Sequence, residues 1–313
     1  METLLNRIGK QPVAGVLCLL MVWSAMALGH SGVVIQHSSS PMGFSDSLFS
    51  FLFGLAGFAL LWIGMKKTET KATMLGYLAG NMIWCGWFEW TWRYTAHFLN
   101  VEGVNDTTTF LDANGVQQTM EVMILSPELL MIQATTLIVV ACLIFFGANK
   151  DTRCRMFMWF HRNFKLRPDT MTPGYKRQHA RTTAIETVFL IWTIYLFAIF
   201  INDPRGIKYD SIAAVVITVG FVIWAIYLIA KLLKIRGWGP TFRYAIPTGS
   251  IAWLPIEAFS RWGFYPEIWI KPAEYPVAMT LVLIFFVTSV TLLYRSDSGG
   301  PANPGNAEPA PAT

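Results

Sequence analysis

Two apolar stretches of the sequence each carry an acidic and a basic residue four positions apart. Glu89 and Arg93 form the first pair, and Glu257 and Arg261 form the second, each among aromatic residues. Because residues four apart lie on one face of a helix, each Glu is predicted to contact its own Arg. Ionisable groups at membrane depth cost roughly 2.5–3.5 kcal/mol each on insertion scales and usually serve a function. These residues are therefore the first candidates for a binding or transport site, with a purely structural ion pair as the alternative.

The composition indicates an integral membrane protein. Of 313 residues, 54% are hydrophobic and only 14% are charged, whereas soluble domains average about 25% charged residues. Apolar runs long enough to cross a bilayer, which takes roughly 20 residues, occur at 12–29, 43–65, 73–97, 121–147, 183–202, 211–233, 245–265 and 275–294. The sequence predicts an all-α polytopic bundle of about eight transmembrane helices, or seven if the first is a cleaved signal peptide.

The basic residues predict the orientation of these helices. With the N-terminus inside, 19 of the 24 Lys and Arg residues lie in inner segments and three in outer ones. Since cytoplasmic loops concentrate positive charge, this distribution favours a bacterial-type inner membrane with the C-terminus in the cytoplasm. The net charge of +5 is explained by this topology and by contact with membrane lipids, and nucleic acid is excluded as a partner.

The chain divides into five predicted regions. Residues flanking Asn114-Gly115 favour β-strands around a tight turn, and the C-terminal residues are mainly Ser, Gly, Pro, Asn and Ala, as in disordered tails. The regions are a signal peptide or first transmembrane helix (1–29), the first half of the bundle (30–147) with an outer hairpin loop (98–120), a basic cytoplasmic interfacial loop (148–182), the second half of the bundle (183–295) and a disordered tail (296–313).

The third and seventh predicted spans have the same order of features. Each has Gly, Trp, Glu-x-x-x-Arg and an aromatic end, and both run from inside to outside. This similarity suggests a parallel 4+4 repeat about an axis normal to the membrane. Polar groups at membrane depth face a bundle interior or a wet cavity. The sequence therefore predicts an outward-facing polar pocket, with candidates Asn81, Glu89, Arg93, Glu128, Glu257 and Arg261.

Three histidines are predicted on the outer side. Basic residues, an apolar run and Ala27-Leu28-Gly29 follow the pattern of a signal peptide, and cleavage would leave His30 as the new N-terminus. With His37 and His97, His30 could bind copper or another transition metal, because imidazole suits Zn, Cu, Fe and Ni. The alternative is an uncleaved anchor whose histidines are solvated.

Both Glu-Arg segments resemble a known motif. Glu89-Trp90-x-x-Arg93-Tyr94, and Glu257-x-x-x-Arg261 with its aromatic neighbours, are similar to the Glu-Trp-x-x-Arg-Tyr segment in the A subunit of membrane-bound methane and ammonia monooxygenases. The B subunit of those enzymes exposes an N-terminal His after signal cleavage, as His30 would here. The early His and Trp-Asp run of the A subunit and the soluble copper domains of the B subunit are absent. The resemblance implies an accessory or distantly related subunit, and it assigns no catalytic residue.

Motifs of several enzyme classes are missing from the sequence. It has no P-loop, no GxSxG, no His pattern of a bis-haem cytochrome or membrane di-iron hydroxylase, and no Lys in mid-span. One hypothesis is therefore a subunit or accessory of a membrane complex, with other membrane subunits or further copies of the chain as partners and a polar, metal-binding pocket. If that complex is an enzyme, it is an oxidoreductase of the monooxygenase type. The alternative is a secondary transporter or channel that uses the buried Glu/Arg pairs.

Overall fold

A computed structural model describes residues 11–39, 43–111, 117–149, 161, 163–165 and 177–296 of the protein. Helices dominate this part of the chain, with one short antiparallel hairpin between them. The elements are α1 (Val13–Ser39), α2 (Phe44–Gly64), α3 (Glu69–Ile83), a π-helical turn (Trp84–Glu89), α4 (Trp90–Phe98), β1 (Val104–Leu111), β2 (Gln117–Leu125), α5 (Pro127–Ala134), α6 (Thr136–Ala148), α7 (His179–Asn202), α8 (Ile212–Leu232), α9 (Trp238–Arg261) and α10 (Pro276–Ser296).

Among the described residues, five helices are long and apolar enough to cross a membrane. They are Val13–Gln36, Phe44–Gly64, His179–Asn202, Ile212–Leu232 and Pro276–Arg295. Helices α5 and α6 would add a sixth span, since together they are long and apolar enough to cross a membrane, although the chain bends by 45° between them. The fold is therefore a helical bundle with five candidate membrane-spanning helices, as expected of a multi-pass membrane protein. The count of eight spans and the 4+4 repeat stay predictions.

The two helical segments that carry the Glu-Arg pairs lie inside the bundle. Helix α3 packs against α2 and α7, and α9 packs against α1, α3, α7 and α8. Most of α9 between Thr241 and Pro255 is buried, whereas α8 and α10 each expose a face of large apolar side chains. Because protein rather than lipid surrounds α3 and α9, both can carry polar residues that a lipid-facing helix could not.

Small residues allow α3 to approach its neighbours closely. A Cβ atom added at Gly76 would lie 2.3 Å from the Ala180 carbonyl oxygen, and one added at Gly80 would lie 2.8 Å from the Thr187 Cβ. Glycines four apart form one strip on a helix, and in membranes such strips let backbones pack by van der Waals contact. The strip at Gly76 and Gly80 therefore fixes α3 against α7.

Replacing Gly76 with Ala is expected to destabilise the protein by about 1–3 kcal/mol, because the added methyl meets backbone that cannot rotate away. The matched control is Gly220→Ala on the outer helix α8, where an added Cβ has no atom within 4 Å. Thermal unfolding in detergent should show a lower midpoint for Gly76→Ala and no decrease for Gly220→Ala. Equal midpoints for the two variants would contradict this close contact.

Helix α1 forms a large part of the core. Cys18, Met21 and Val22 are fully buried, and they pack with residues of α3, α9 and α10. The indole Nε1 of Trp23 donates to the Gly249 carbonyl at 3.1 Å, and Ser31 Oγ donates to the Trp269 carbonyl at 2.7 Å. Helix α1 is therefore an integral part of the folded core.

The hairpin lies between α4 and α5. Strands β1 and β2 pair antiparallel, with an irregularity between Val104 and Asn105, and the Asn114-Gly115 turn falls outside the described residues. Residues 121–125 belong to β2, so the prediction that the fourth span starts at 121 is wrong. The pairing with β1 holds these residues extended, and the helix begins only at Pro127, which is favourable in a first turn.

Polar contacts join the hairpin and α5 to the segment after α7. Lys208 Nζ lies 3.1 Å from Asp106 Oδ2. Hydrogen bonds from Arg205 and then Gln133 hold the pKa of the Asp203 carboxyl well below its usual range. Most of the interfacial loop predicted at 148–182, and the tail after 296, fall outside the described residues.

Candidate functional site

A π-helical turn interrupts the helix that carries Glu89 and Arg93. It spans Trp84–Glu89 and joins α3 to α4. Such turns hold one extra residue per turn and are frequent at functional sites. A Cβ atom added at Gly86 would lie 2.6 Å from the Gly54 backbone nitrogen of α2, and Trp87 Nε1 donates to the Phe51 carbonyl at 3.2 Å. Helix α2 therefore holds the π-helical turn in place.

A small cavity lies beside this turn and is called the polar cavity below. Its wall contains three of the six predicted pocket residues, Glu89, Arg93 and Glu128, which come from three different elements. The full lining is Val33, Gln36, Cys85, Glu89, Trp90, Arg93 and Glu128. The cavity has room for about one water molecule. It therefore suits protons, water or a small ion rather than an organic substrate.

Arg93 does not pair with Glu89 as predicted. Its Nη2 atom lies 3.3 Å from Oδ2 of Asp46 on α2, whose side chain is completely buried. No Glu89–Arg93 ion pair within 4 Å occurs in the described part of the chain. The prediction assumed a regular α-helix, but Glu89 ends a π-helical turn, and a buried carboxylate on another helix takes the guanidinium. Gln36 Nε2 also donates to Asp46.

Glu257 likewise pairs with a residue other than the predicted one. His30 Nε2 of α1 lies 3.3 Å from Glu257 Oε1, and Trp253 Nε1 donates to the same oxygen at 2.6 Å. Arg261 is exposed near the end of α9 and forms no ion pair with Glu257 among the described residues. The expected Glu257–Arg261 contact is wrong because His30 and Trp253 reach the carboxylate inside the bundle.

The imidazole of His30 stacks with two aromatic rings. Its centroid is 5.9 Å from that of Tyr195 and 6.0 Å from that of Trp253, in stacked arrangements. Aromatic faces attract cations, so this position favours the protonated imidazole. Glu89 as well as Glu257 lies within electrostatic range of the ring. His30 therefore connects the acidic group of the π-helical turn with that of α9.

The remaining predicted residues lie apart from this group. Asn81 Nδ2 donates to the Tyr77 carbonyl of its own helix at 2.8 Å, and His97 is exposed in the last turn of α4. His37 belongs to α1, but its side chain is not described. Across the described ranges, three or more His, Cys, Asp or Glu side chains never come together in a group that could hold a metal ion.

Sequence reasoning missed Asp46 and Gln36. A usable signal was present for Asp46, since it is an acidic residue within the apolar run 43–65, and such residues usually mark a site or a buried partner. Gln36 gave a weaker signal, because a neutral amide near the end of an apolar run is common. Their positions depend on the contacts of Gln36 with Asp46 and Ser50 of α2, which local sequence does not reveal.

Negative groups outnumber positive ones in this interior. In the described part of the chain, each of four carboxylates (Asp46, Glu89, Glu128 and Glu257) lies within electrostatic range of Arg93 or His30, and Arg261 also acts on Glu257. Unpaired buried charge is strongly unfavourable. Protons or a small cation must therefore neutralise part of the group, and a site that holds exchangeable protons is the arrangement these residues form most simply.

No protein-family model, no curated protein and no solved structure matches this chain.

Proposed function

We propose that this chain is a proton-translocating membrane transporter in which His30 and Glu257 pass protons through the bundle interior. The observation that carries the proposal is the contact of 3.3 Å between His30 Nε2 and Glu257 Oε1 among helices α1, α7 and α9. Histidine changes charge near neutral pH, and chains of Asp, Glu and His inside membranes are typical proton relays. The function therefore follows the transporter alternative of the sequence analysis.

The relay has three members in order. Glu89 borders the polar cavity, and His30 lies within electrostatic range of Glu89. Glu257 Oε1 lies 3.3 Å from His30 Nε2. A proton on Glu89 passes to the imidazole, and the imidazolium then protonates Glu257. The two aromatic rings that stack with His30 stabilise this charged intermediate.

Polar groups extend the relay towards both surfaces. On the outer side, Glu267 lies within electrostatic range of Glu257, and burial raises the pKa of its carboxyl. Towards the predicted inner side, the hydroxyls of Thr183 and Thr187 on α7 are buried without a hydrogen-bond partner in the described structure. Buried hydroxyls without a protein partner are groups to which internal water molecules bind, and such waters would extend the relay.

The proposal includes the placement predicted from the charges, an inner membrane with a cytoplasmic C-terminus. It assigns no metal, because His30 already contacts Glu257 and stacks with two rings. Membership in a larger complex stays a separate prediction, which native mass spectrometry of the purified protein tests directly.

The test is proton flux in liposomes that contain the purified full-length protein and an internal pH-sensitive dye. A potassium diffusion potential drives the flux. We expect the wild-type protein to acidify or alkalinise the lumen with the sign of the potential. Glu257→Gln and His30→Gln remove a titrating group at similar size, and each should lower the rate at least tenfold.

The matched control is Glu274→Gln, which alters an exposed carboxylate paired with Lys271 outside the bundle. It should leave the rate unchanged. Wild-type liposomes with no flux above empty liposomes would refute the proposed function. Unchanged flux in Glu257→Gln would also refute it, because the relay would then lack its central contact.

A further inference from the structure

We infer that the guanidinium of Arg93 moves between Asp46 and the carboxylates of Glu89 and Glu128 in the polar cavity. In the second position it competes with protons for the Glu89 and Glu128 carboxylates. This inference rests on the proposed function, because the proton that it competes with is the one that Glu89 passes to His30. Arg93 is a positioning residue, since it lies beside the relay and does not itself transfer a proton.

The contact of Arg93 with Asp46 leaves most of the guanidinium available. Arg93 is only 9% exposed, yet the ion pair that it forms among the described residues has an N–O distance of 3.3 Å. Charge-assisted hydrogen bonds of this type are usually about 2.7–2.9 Å long. Arginine has five N–H donors, and Arg93 also borders the polar cavity together with Glu89 and Glu128. Three carboxylates therefore share one buried cation.

Asp46 is held in place without Arg93. Gln36 Nε2 donates to a carboxylate oxygen of Asp46 and approaches Ser50 Oγ at 2.6 Å. These contacts remain if the guanidinium leaves, so Asp46 keeps a donor and its position. Asp46 can therefore bind the Arg93 guanidinium in one state of the protein and release it in another.

The other destination is also held without Arg93. Ser126 Oγ donates to Glu128 Oε1 at 2.7 Å, and Glu89 is fixed by the π-helical turn. Arg93 follows Glu89 by four residues, a spacing at which Arg and Glu side chains can meet on a helix. A small rotation of the Arg93 side chain within the cavity therefore exchanges Asp46 for these carboxylates.

Protonation decides which carboxylate holds the guanidinium. When Glu89 or Glu128 is protonated, its charge is lost and Arg93 stays with Asp46, as in this structure. When the proton leaves towards His30, the new negative charge attracts Arg93 into the cavity. The titratable and charged groups that face Arg93 are Asp46 from α2, Glu128 from α5 and Glu89 from the π-helical turn. Cys85 borders the same cavity, and His30 of α1 acts through Glu89.

The two partners of the Arg93–Asp46 pair should give opposite results. In Arg93→Gln no cation competes with protons, so Glu89 and Glu128 stay protonated to higher pH, and the pH of half-maximal flux should rise by about one unit. In Asp46→Asn the guanidinium has lost its other partner and stays with Glu89 and Glu128. The pH of half-maximal flux should then fall by about one unit. A fixed guanidinium would give shifts of the same signs, because loss of a cation and loss of an anion change a neighbouring carboxyl pKa in opposite directions. The movement itself is therefore tested by the infrared bands of the guanidinium, which should change at the carboxyl midpoint only if Arg93 changes its partner.

Infrared difference spectroscopy gives a second readout that does not require transport. The band of protonated carboxyl groups, assigned with Glu89→Gln, should titrate with the same opposite shifts in detergent. Arg93→Lys keeps the charge and should restore most of the wild-type midpoint. Asp203→Asn and Arg205→Gln break an ion pair of 2.8 Å outside the bundle and serve as matched controls with no shift.

The outcomes separate the two proposals. Wild-type liposomes without flux, combined with opposite infrared shifts and guanidinium bands that change at the carboxyl midpoint, would overturn the transport function and support the movement of Arg93. Shifts in one direction for both variants, or no shift in either, would overturn the role of Arg93 even if the wild-type protein carries protons. Lower thermal stability of both variants without any shift would show that the pair only joins α2 to α4.

Discussion

Deletion of residues 1–29 is expected to abolish accumulation of the folded protein, because α1 supplies side chains that the core cannot lose. Leu19, Met21 and Val22 are at most 6% exposed. Loss of one buried Leu or Met side chain typically costs about 2–5 kcal/mol, and whole proteins are stable by only about 5–15 kcal/mol. The summed loss therefore exceeds the stability that a bundle of this size has available.

Cleavage as a signal peptide would have the same consequence as the deletion. We therefore expect mass spectrometry of the intact, membrane-extracted protein to find residues 13–29 still attached. The deletion variant should be degraded or aggregated when membrane fractions are analysed by size-exclusion chromatography. Removal of residues 298–313 is the control and should leave the elution profile unchanged. A folded, monodisperse protein that begins at His30 would contradict the structural role of α1.

Apolar runs predicted the positions of the lipid-facing helices well. The run 43–65 corresponds to α2 (Phe44–Gly64), and the run 211–233 corresponds to α8 (Ile212–Leu232). Their boundaries follow from bilayer thickness, which requires a minimum apolar length. The interior helix α9 is less apolar, and its polar residues are tolerated only because other helices surround it. Hydropathy therefore predicts the position of such an interior helix less well than that of a lipid-facing helix.

The partners of the buried charges could not be predicted from local spacing. The rule that residues four apart meet compares positions within one regular helix. Glu89 ends a π-helical turn, and Arg93 finds Asp46 on a different helix. Glu257 finds His30, more than two hundred residues earlier in the chain. Sequence identified three of the cavity residues by their cost in a membrane, whereas the choice among partners is a tertiary property.

Replacing Asp46 with Leu is expected to destabilise the protein by about 3–5 kcal/mol at a pH where Glu89 and Glu128 are protonated, because the buried guanidinium of Arg93 then has no charged partner. Asp46 is 2% exposed and Arg93 is 9% exposed, so water can compensate little of the loss. Stability can be measured by denaturant titration of the helical signal in mixed micelles. The matched comparison is Ser47→Leu, one residue along the same helix, whose side chain only donates to the Gly43 carbonyl.

The double variant Asp46→Leu/Arg93→Met decides whether the pair itself stabilises the fold. Replacing both members of a buried ion pair with apolar residues of similar volume is often neutral or even stabilising. We therefore expect the double variant to recover most of the stability that Asp46→Leu loses, although it can no longer shift its flux with pH as the wild-type protein does. Such a result would mean that the charges are kept for the movement of Arg93 between carboxylates. A double variant as unstable as Asp46→Leu would instead show that this ion pair is needed to hold α2 against α4.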